Sequence, residues 1–152
     1  MKAIVIYCAE GKRLSALADK IAKEFNCEAL TISPKEAYGK GFQMHKRILT
    51  EIKNHTLADY EASLPDLSQV DTVFIGYPIW YAHVPAYAAK FVSELDLNGK
   101  KLIPFTTSLI MGTGVTLRQL ENATKASMGK SYSLSRLAPD DFDAWVSEIK
   151  NV

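Results

Sequence analysis

Strand-like and helix-like stretches alternate five times along this chain, and that alternation leaves few architectures open to it. Residues 3–7 form a short, apolar, β-branched run, as expected of a strand covered on both faces. Residues 29–32, 71–76, 102–106 and 132–136 read as four more strands. Between the first two, Leu14, Leu17, Ala18, Ile21, Ala22 and Phe25 recur at helical spacing, with Lys20, Lys23 and Glu24 largely off that stripe. Further helices are predicted over 42–54, 85–95, 115–126 and 139–149. In the second, Phe42, His45, Ile48, Leu49 and Ile52 share a side; in the fourth, Val115, Leu117 and Leu120 are the apolar anchors. Pro85 suits a first helical turn, and the acids after Pro139 favour the helix dipole. Five such units predict an α/β fold with a parallel sheet, right-handed crossovers and helices on both faces. Pro104 removes a ladder donor, so part of the fourth strand is expected at an edge or irregular. Residues 54–69 read as a surface loop.

The chain has 152 residues, the size of one domain, and 47% of them are hydrophobic, enough for a core without staples. Eighteen basic and seventeen acidic side chains leave a net charge of +1. That balance argues against nucleic-acid binding by phosphate neutralisation and gives no support for a membrane surface. Two cysteines, Cys8 and Cys27, make neither a disulfide framework nor a metal cluster, and read as small buried hydrophobes of a reducing compartment. No apolar run approaches the roughly 20 residues that span a bilayer, and the first residues do not read as a signal peptide. The cytoplasm is the expected location.

In open parallel sheets, ligands bind beyond the carboxyl ends of the strands. The loops that meet there are 9–14, 77–84 and 106–115. The middle one is the most distinctive: an apolar strand runs through Gly76 to Pro78, then presents Ile79, Trp80 and Tyr81. Two large aromatics at that place offer a flat surface to a planar ring, although aromatic pairs also serve cores and interfaces. His83 lies close by, able to approach such a ring or a substrate, or simply structural.

The run Gly76-Tyr-Pro-Ile-Trp80, with Asp66-Leu-Ser, Asn98-Gly-Lys and Pro104-Phe-Thr, resembles the bacterial flavodoxin-like family over nearly the whole chain. The resemblance implies a five-stranded sheet of order 2-1-3-4-5 in a three-layer sandwich, non-covalent FMN, and one- or two-electron transfer. It also implies that Pro78, Ile79, Trp80, Tyr81 and His83 border the flavin, and that backbone groups of Thr106, Thr107, Ser108 and Gly112 meet its pyrimidine edge.

The first loop departs from the family. Flavodoxins hold the phosphate with a hydroxyl-rich Thr-Gly-Asn-Thr type segment; here Ala9, Glu10, Gly11, Lys12, Arg13 and Leu14 stand instead, and the nearest hydroxyl is Ser15. A helix amino terminus still offers free amides, Gly11 permits close approach, and Lys12 and Arg13 add charge. Losing two neutral hydrogen bonds costs about 0.5–1.5 kcal/mol each, and charge-assisted ones are roughly twice as strong. The balance is restored provided Glu10 points away. The third loop carries Ser108-Leu-Ile-Met111 where the family has small residues; these apolar side chains wall off the flavin or pack against a second subunit.

Two functions follow. One is an FMN protein moving electrons, as a carrier or as a reductase of a small acceptor fed by NAD(P)H; its near-neutral charge leans toward the reductase, since carriers steer by acidic surfaces. The other is a flavodoxin-like domain without cofactor, serving as an interaction or regulatory module.

Overall fold

The computed structural model describes residues 1–110 and 112–152. Five parallel strands form the sheet: β1 (Ala3–Cys8), β2 (Glu28–Pro34), β4 (Thr72–Pro78), β5 (Lys101–Ser108) and β7 (Tyr132–Ser135). They lie in the order β2-β1-β4-β5-β7, which is the expected 2-1-3-4-5 order in its own numbering. Two further strands of two residues each were not foreseen. β3 (Tyr60–Glu61), within the expected loop 54–69, runs antiparallel to the end of β2. β6 (Ser127–Met128) pairs with Lys101 and Leu102 at the start of β5.

Those short pairings explain how Pro104 is tolerated. β5 is paired with β4 along its whole length, Ile75 opposite Pro104. On its other side the partner changes: β6 covers Lys101 and Leu102, and β7 covers Phe105–Ser108. The proline sits buried in the interval, where no ladder is interrupted.

The helices are α1 (Lys12–Glu24), α2 (Gly41–Asn54), α3 (Ala86–Glu94), α4 (Gly114–Ala123) and α5 (Phe142–Lys150). α1 carries the chain from β1 outward to β2; α2 brings it back across to β4. With right-handed crossovers, that reversal sends α1 to one face of the sheet and α2, α3 and α4 to the other. α5 joins α1: Phe25, just past α1, packs on Phe74 at 4.7 Å and on Trp145 of α5 at 6.3 Å between ring centroids. α3 packs against both α2 and α4. The apolar stripe of α1 is buried as expected, through Leu14, Leu17, Ala18 and Ile21.

Two helices present different faces from those their apolar residues suggest. In α2, Ile48 is buried and Ile52 half-buried, but Phe42 and Leu49 are exposed. In α4, Val115 is exposed; Thr116 and Leu120 are the buried pair, because the Thr116 hydroxyl meets the Tyr77 hydroxyl at 2.8 Å inside the core. Among the described residues, no helix is long and apolar enough to cross a membrane.

β1 and β4 lie side by side while their following loops leave in opposite directions, so a crevice opens between them at their carboxyl ends. The close fit that holds this end together is at Gly76. A Cβ built there would lie 2.3 Å from the Phe105 ring, which is itself fully buried. Gly76→Ala should therefore destabilise the protein by about 1–3 kcal/mol, the usual cost of overpacking. Adding Phe105→Leu should recover part of that loss; urea unfolding of the single and double variants reads both.

Candidate functional site

The first wall of the crevice is the turn from β1 into α1. The amide of Ala9 donates to the Ile32 carbonyl at 2.9 Å, which ties the turn to β2. Gly11 then takes φ +87, a left-handed value open to glycine at no steric cost. It is the residue before the helix, and a Cβ there would meet nothing within 4 Å. No side chain caps α1, and its first turn holds no acid. The leading amides, those of Lys12, Arg13 and Leu14, have no partner within the helix. Lys12 is exposed, Arg13 and Ser15 are half-buried, and Leu14 is core.

Glu10 belongs to a different neighbourhood from these amides. Its Oε2 is buried without a hydrogen-bond partner, and so is the hydroxyl of fully buried Tyr87 on α3. The two groups are near enough that the tyrosine partly offsets the effect of burial on the acid, as does Arg47 on α2. Burial still dominates and raises the Glu10 pKa above the ordinary carboxylate range. Burial likewise pushes up the Tyr87 hydroxyl and the Cys8 thiol, which lie beside each other.

The second wall is the segment after β4. The amide of Ile79 donates to the Thr107 carbonyl at 3.4 Å. Trp80 and His83 then exchange backbone hydrogen bonds of 3.0 and 2.9 Å around Tyr81 and Ala82, whose φ values are +50 and +62. A two-residue turn with both central φ positive is of the primed kind normally given to Asn and Gly. Gln119 of α4 holds it there: its Oε1 accepts from the Val84 amide at 2.9 Å and its Nε2 donates to the Ala82 carbonyl at 3.1 Å. The Tyr81 hydroxyl bonds His45 Nδ1 on α2, and His83 Nδ1 donates to the Tyr81 carbonyl at 2.6 Å.

The indole of Trp80 is half-buried. It meets Tyr38 edge-on at 5.0 Å and Tyr87 at 6.3 Å between centroids. Arg47 lies 3.7 Å over the Tyr38 ring, and the Tyr38 hydroxyl donates to Glu51 at 2.6 Å.

The third wall begins later than the expected loop 106–115, because β5 continues to Ser108. Thr106 is fully buried, in register with Tyr77 and Ser133, its hydroxyl 3.1 Å from that of Ser133. Thr107 and Ser108 are half-buried strand residues, and Gly112 is exposed. Leu109 and Ile110 are 62% and 67% exposed, so neither packs into the crevice of its own chain. Met111 lies outside the described residues.

The structure thus brings the loops after β1, β4 and β5 to one end of the sheet. It also adds residues to which motif reading gave no role: Tyr38, Arg47, Tyr87, Thr116 and Gln119. Tyr87 and Arg47 carry no local signal. Gln119 carries a faint one, a long polar side chain one residue before the buried Leu120.

Two expectations follow. Ala82→Gly relieves a left-handed alanine, so it should stabilise the fold by about 0.5–1 kcal/mol in denaturant unfolding. Glu10 has a raised pKa in the folded protein, so the stability tied to it is complete below the unfolded carboxylate pKa and is lost as pH rises through the folded one. Glu10→Gln should match the parent at pH 4 and exceed it at pH 7 when unfolding midpoints are compared.

Comparison with known proteins agrees with this geometry. A candidate flavoprotein from Bacteroides eggerthii superposes with a TM-score of 0.83, at 22% identity over 98% of each chain. The flavoprotein from Lactobacillus acidophilus NCFM, solved in complex with FMN, gives 0.75 at 14% identity, over 87% of this chain and 92% of that one. No curated protein matches the sequence. The profile of the flavodoxin family matches residues 2–149, and the chain belongs to that family.

Proposed function

We infer that this chain binds FMN at the carboxyl ends of β1, β4 and β5 and works as a small redox protein. The observation that carries the reading is the uncapped amino terminus of α1, set at the point where the sheet changes direction. Its free amides and the partial positive charge of the helix suit a phosphate. Gly11 leaves open space above them, and Lys12 and Arg13 replace with charge what the missing hydroxyls do not provide. The carboxyl group of Glu10, the one local feature that would repel an anion, has its Oε2 buried in the neighbourhood of Tyr87 and Arg47. The donor set therefore fits the phosphate end of the cofactor. The Lactobacillus acidophilus flavoprotein, of the same fold, holds FMN.

Bound FMN supplies one- or two-electron transfer. The chain's part is to hold and shield it. Trp80 and Tyr81 border the ring, kept in place by the Gln119 bracket and by the tyrosine's bond to His45. The near-neutral surface favours reduction of a small acceptor at the expense of NAD(P)H over long-range steering to a basic protein partner. One observation favours the rival reading of a cofactor-free interaction module: Leu109 and Ile110 stand exposed at the mouth of the site.

Titrating the apoprotein with FMN and with riboflavin separates the two readings. FMN fluorescence should be quenched on binding, and riboflavin, which lacks the phosphate, should bind more weakly. Lys12→Ala with Arg13→Ala should weaken FMN by roughly tenfold to a hundredfold, the worth of one charge-assisted contact, and leave riboflavin unchanged. No quenching by either flavin supports the cofactor-free module. Equal affinity for both would remove the phosphate site.

A further inference from the structure

On the face of the sheet that carries α2 and α3, a groove of about 230 Å³ runs between the two helices and ends at Trp80. Ile48, Ile52, Leu57, Val84, Pro85 and Ala89 give it apolar walls. An apolar cavity of roughly 150 Å³ is enough to take up benzene. This one has room for a single ring with one or two small substituents.

The polar groups along it decide what such a ring should carry. Glu51 is engaged with Tyr38 and Arg47, and both ends of the Gln119 amide are spent on the 80–83 turn. That leaves the imidazoles of His55 and His83 and the Thr56 hydroxyl. His83 is the half-buried one. Nδ1 donates to the Tyr81 carbonyl, so in the neutral ring Nε2 is a bare acceptor. An acceptor inside apolar walls selects a ligand that donates. No lysine or arginine lines the groove, while Glu51 does, so charge complementarity disfavours an anion.

We propose that the groove between α2 and α3 binds a neutral single-ring phenol, its ring against Trp80 and its hydroxyl donating to His83 Nε2. The site is separate from the helix terminus assigned to the FMN phosphate and shares Trp80 and His83 with the residues expected to border the flavin ring. Phenol binding is therefore measured without flavin, apart from that reading.

The test uses the whole chain without added flavin and three probes that share one tolyl ring: p-cresol, toluene and p-toluate. Affinities come from NMR titration, following the Trp80 indole, the Ala89 methyl and the His83 ring. p-Cresol should give saturable shifts at all three, and p-toluate should bind at least tenfold more weakly. His83→Leu should lower the preference for p-cresol over toluene by about tenfold, the value of one neutral hydrogen bond. Ala89→Phe should fill the groove and abolish both p-cresol and toluene binding; Leu57→Trp at the exposed rim serves the same purpose if the first variant fails to fold. Three results would each overturn the proposal: no saturable shift with any probe, p-toluate binding as tightly as p-cresol, or an unchanged preference in His83→Leu. Flavin titration of the same sample reports separately, so loss of FMN binding and loss of phenol binding are distinguishable.

Discussion

The contact between the Phe105 ring and the bare backbone of Gly76 sets the upper end of this sheet. β4 is buried along its length between β1 and β5, and any side chain at Gly76 would have to displace a fully buried aromatic. With that ring seated, the chain leaves β4 through Pro78 at a fixed height and direction. The tight turn over 80–83, the aromatic cluster of Tyr38, Trp80 and Tyr87, and the groove toward α2 all hang from that exit. Packing at a glycine in the core and the shape of the crevice at the surface are here successive steps along one strand.

The turn itself is a local exception to the rule that each residue suits its conformation. Tyr81 and Ala82 both occupy a region that costs L-residues roughly 1–2 kcal/mol each. Interactions from two other elements offset this, Gln119 from α4 and His45 from α2. Conformational cost concentrated in a segment bearing the exposed aromatic is the pattern expected of a binding loop.

The alternation of strands and helices was legible because it rests on a strong, repeated signal; the strand order came from the family resemblance. The apolar runs 3–7 and 71–76 are recognisable in isolation, and the motif Gly76-Tyr-Pro-Ile-Trp80 lies on one of the loops that meet at the carboxyl ends of the strands. What was not legible depends on partners distant in sequence. Phe42 and Leu49 look like core from spacing alone, yet α2 turns Met44, Ile48 and Ile52 inward instead. Thr116 looks like a surface residue until Tyr77, 39 positions away, supplies its hydrogen bond. β3 and β6, two residues each, are too short for periodicity to register. The inward environment of Glu10 depends on Tyr87 and Arg47, on two helices that no local pattern connects to the first loop.

β3 has a consequence for how copies of this chain can meet. It lies across the carboxyl end of β2, fastened by Tyr60 to Glu94, by Asp59 to Lys90, and by the Lys35 amide to the Asp59 carbonyl. Open strand borders invite extension of one sheet into another, and a short antiparallel cover is one way to refuse it. With that stretch of the border shut, the sheet cannot be continued past the end of β2 by simple strand addition, and Leu109 and Ile110 past β5 leave greasy, uncovered surface of a different kind, open to side-chain contact.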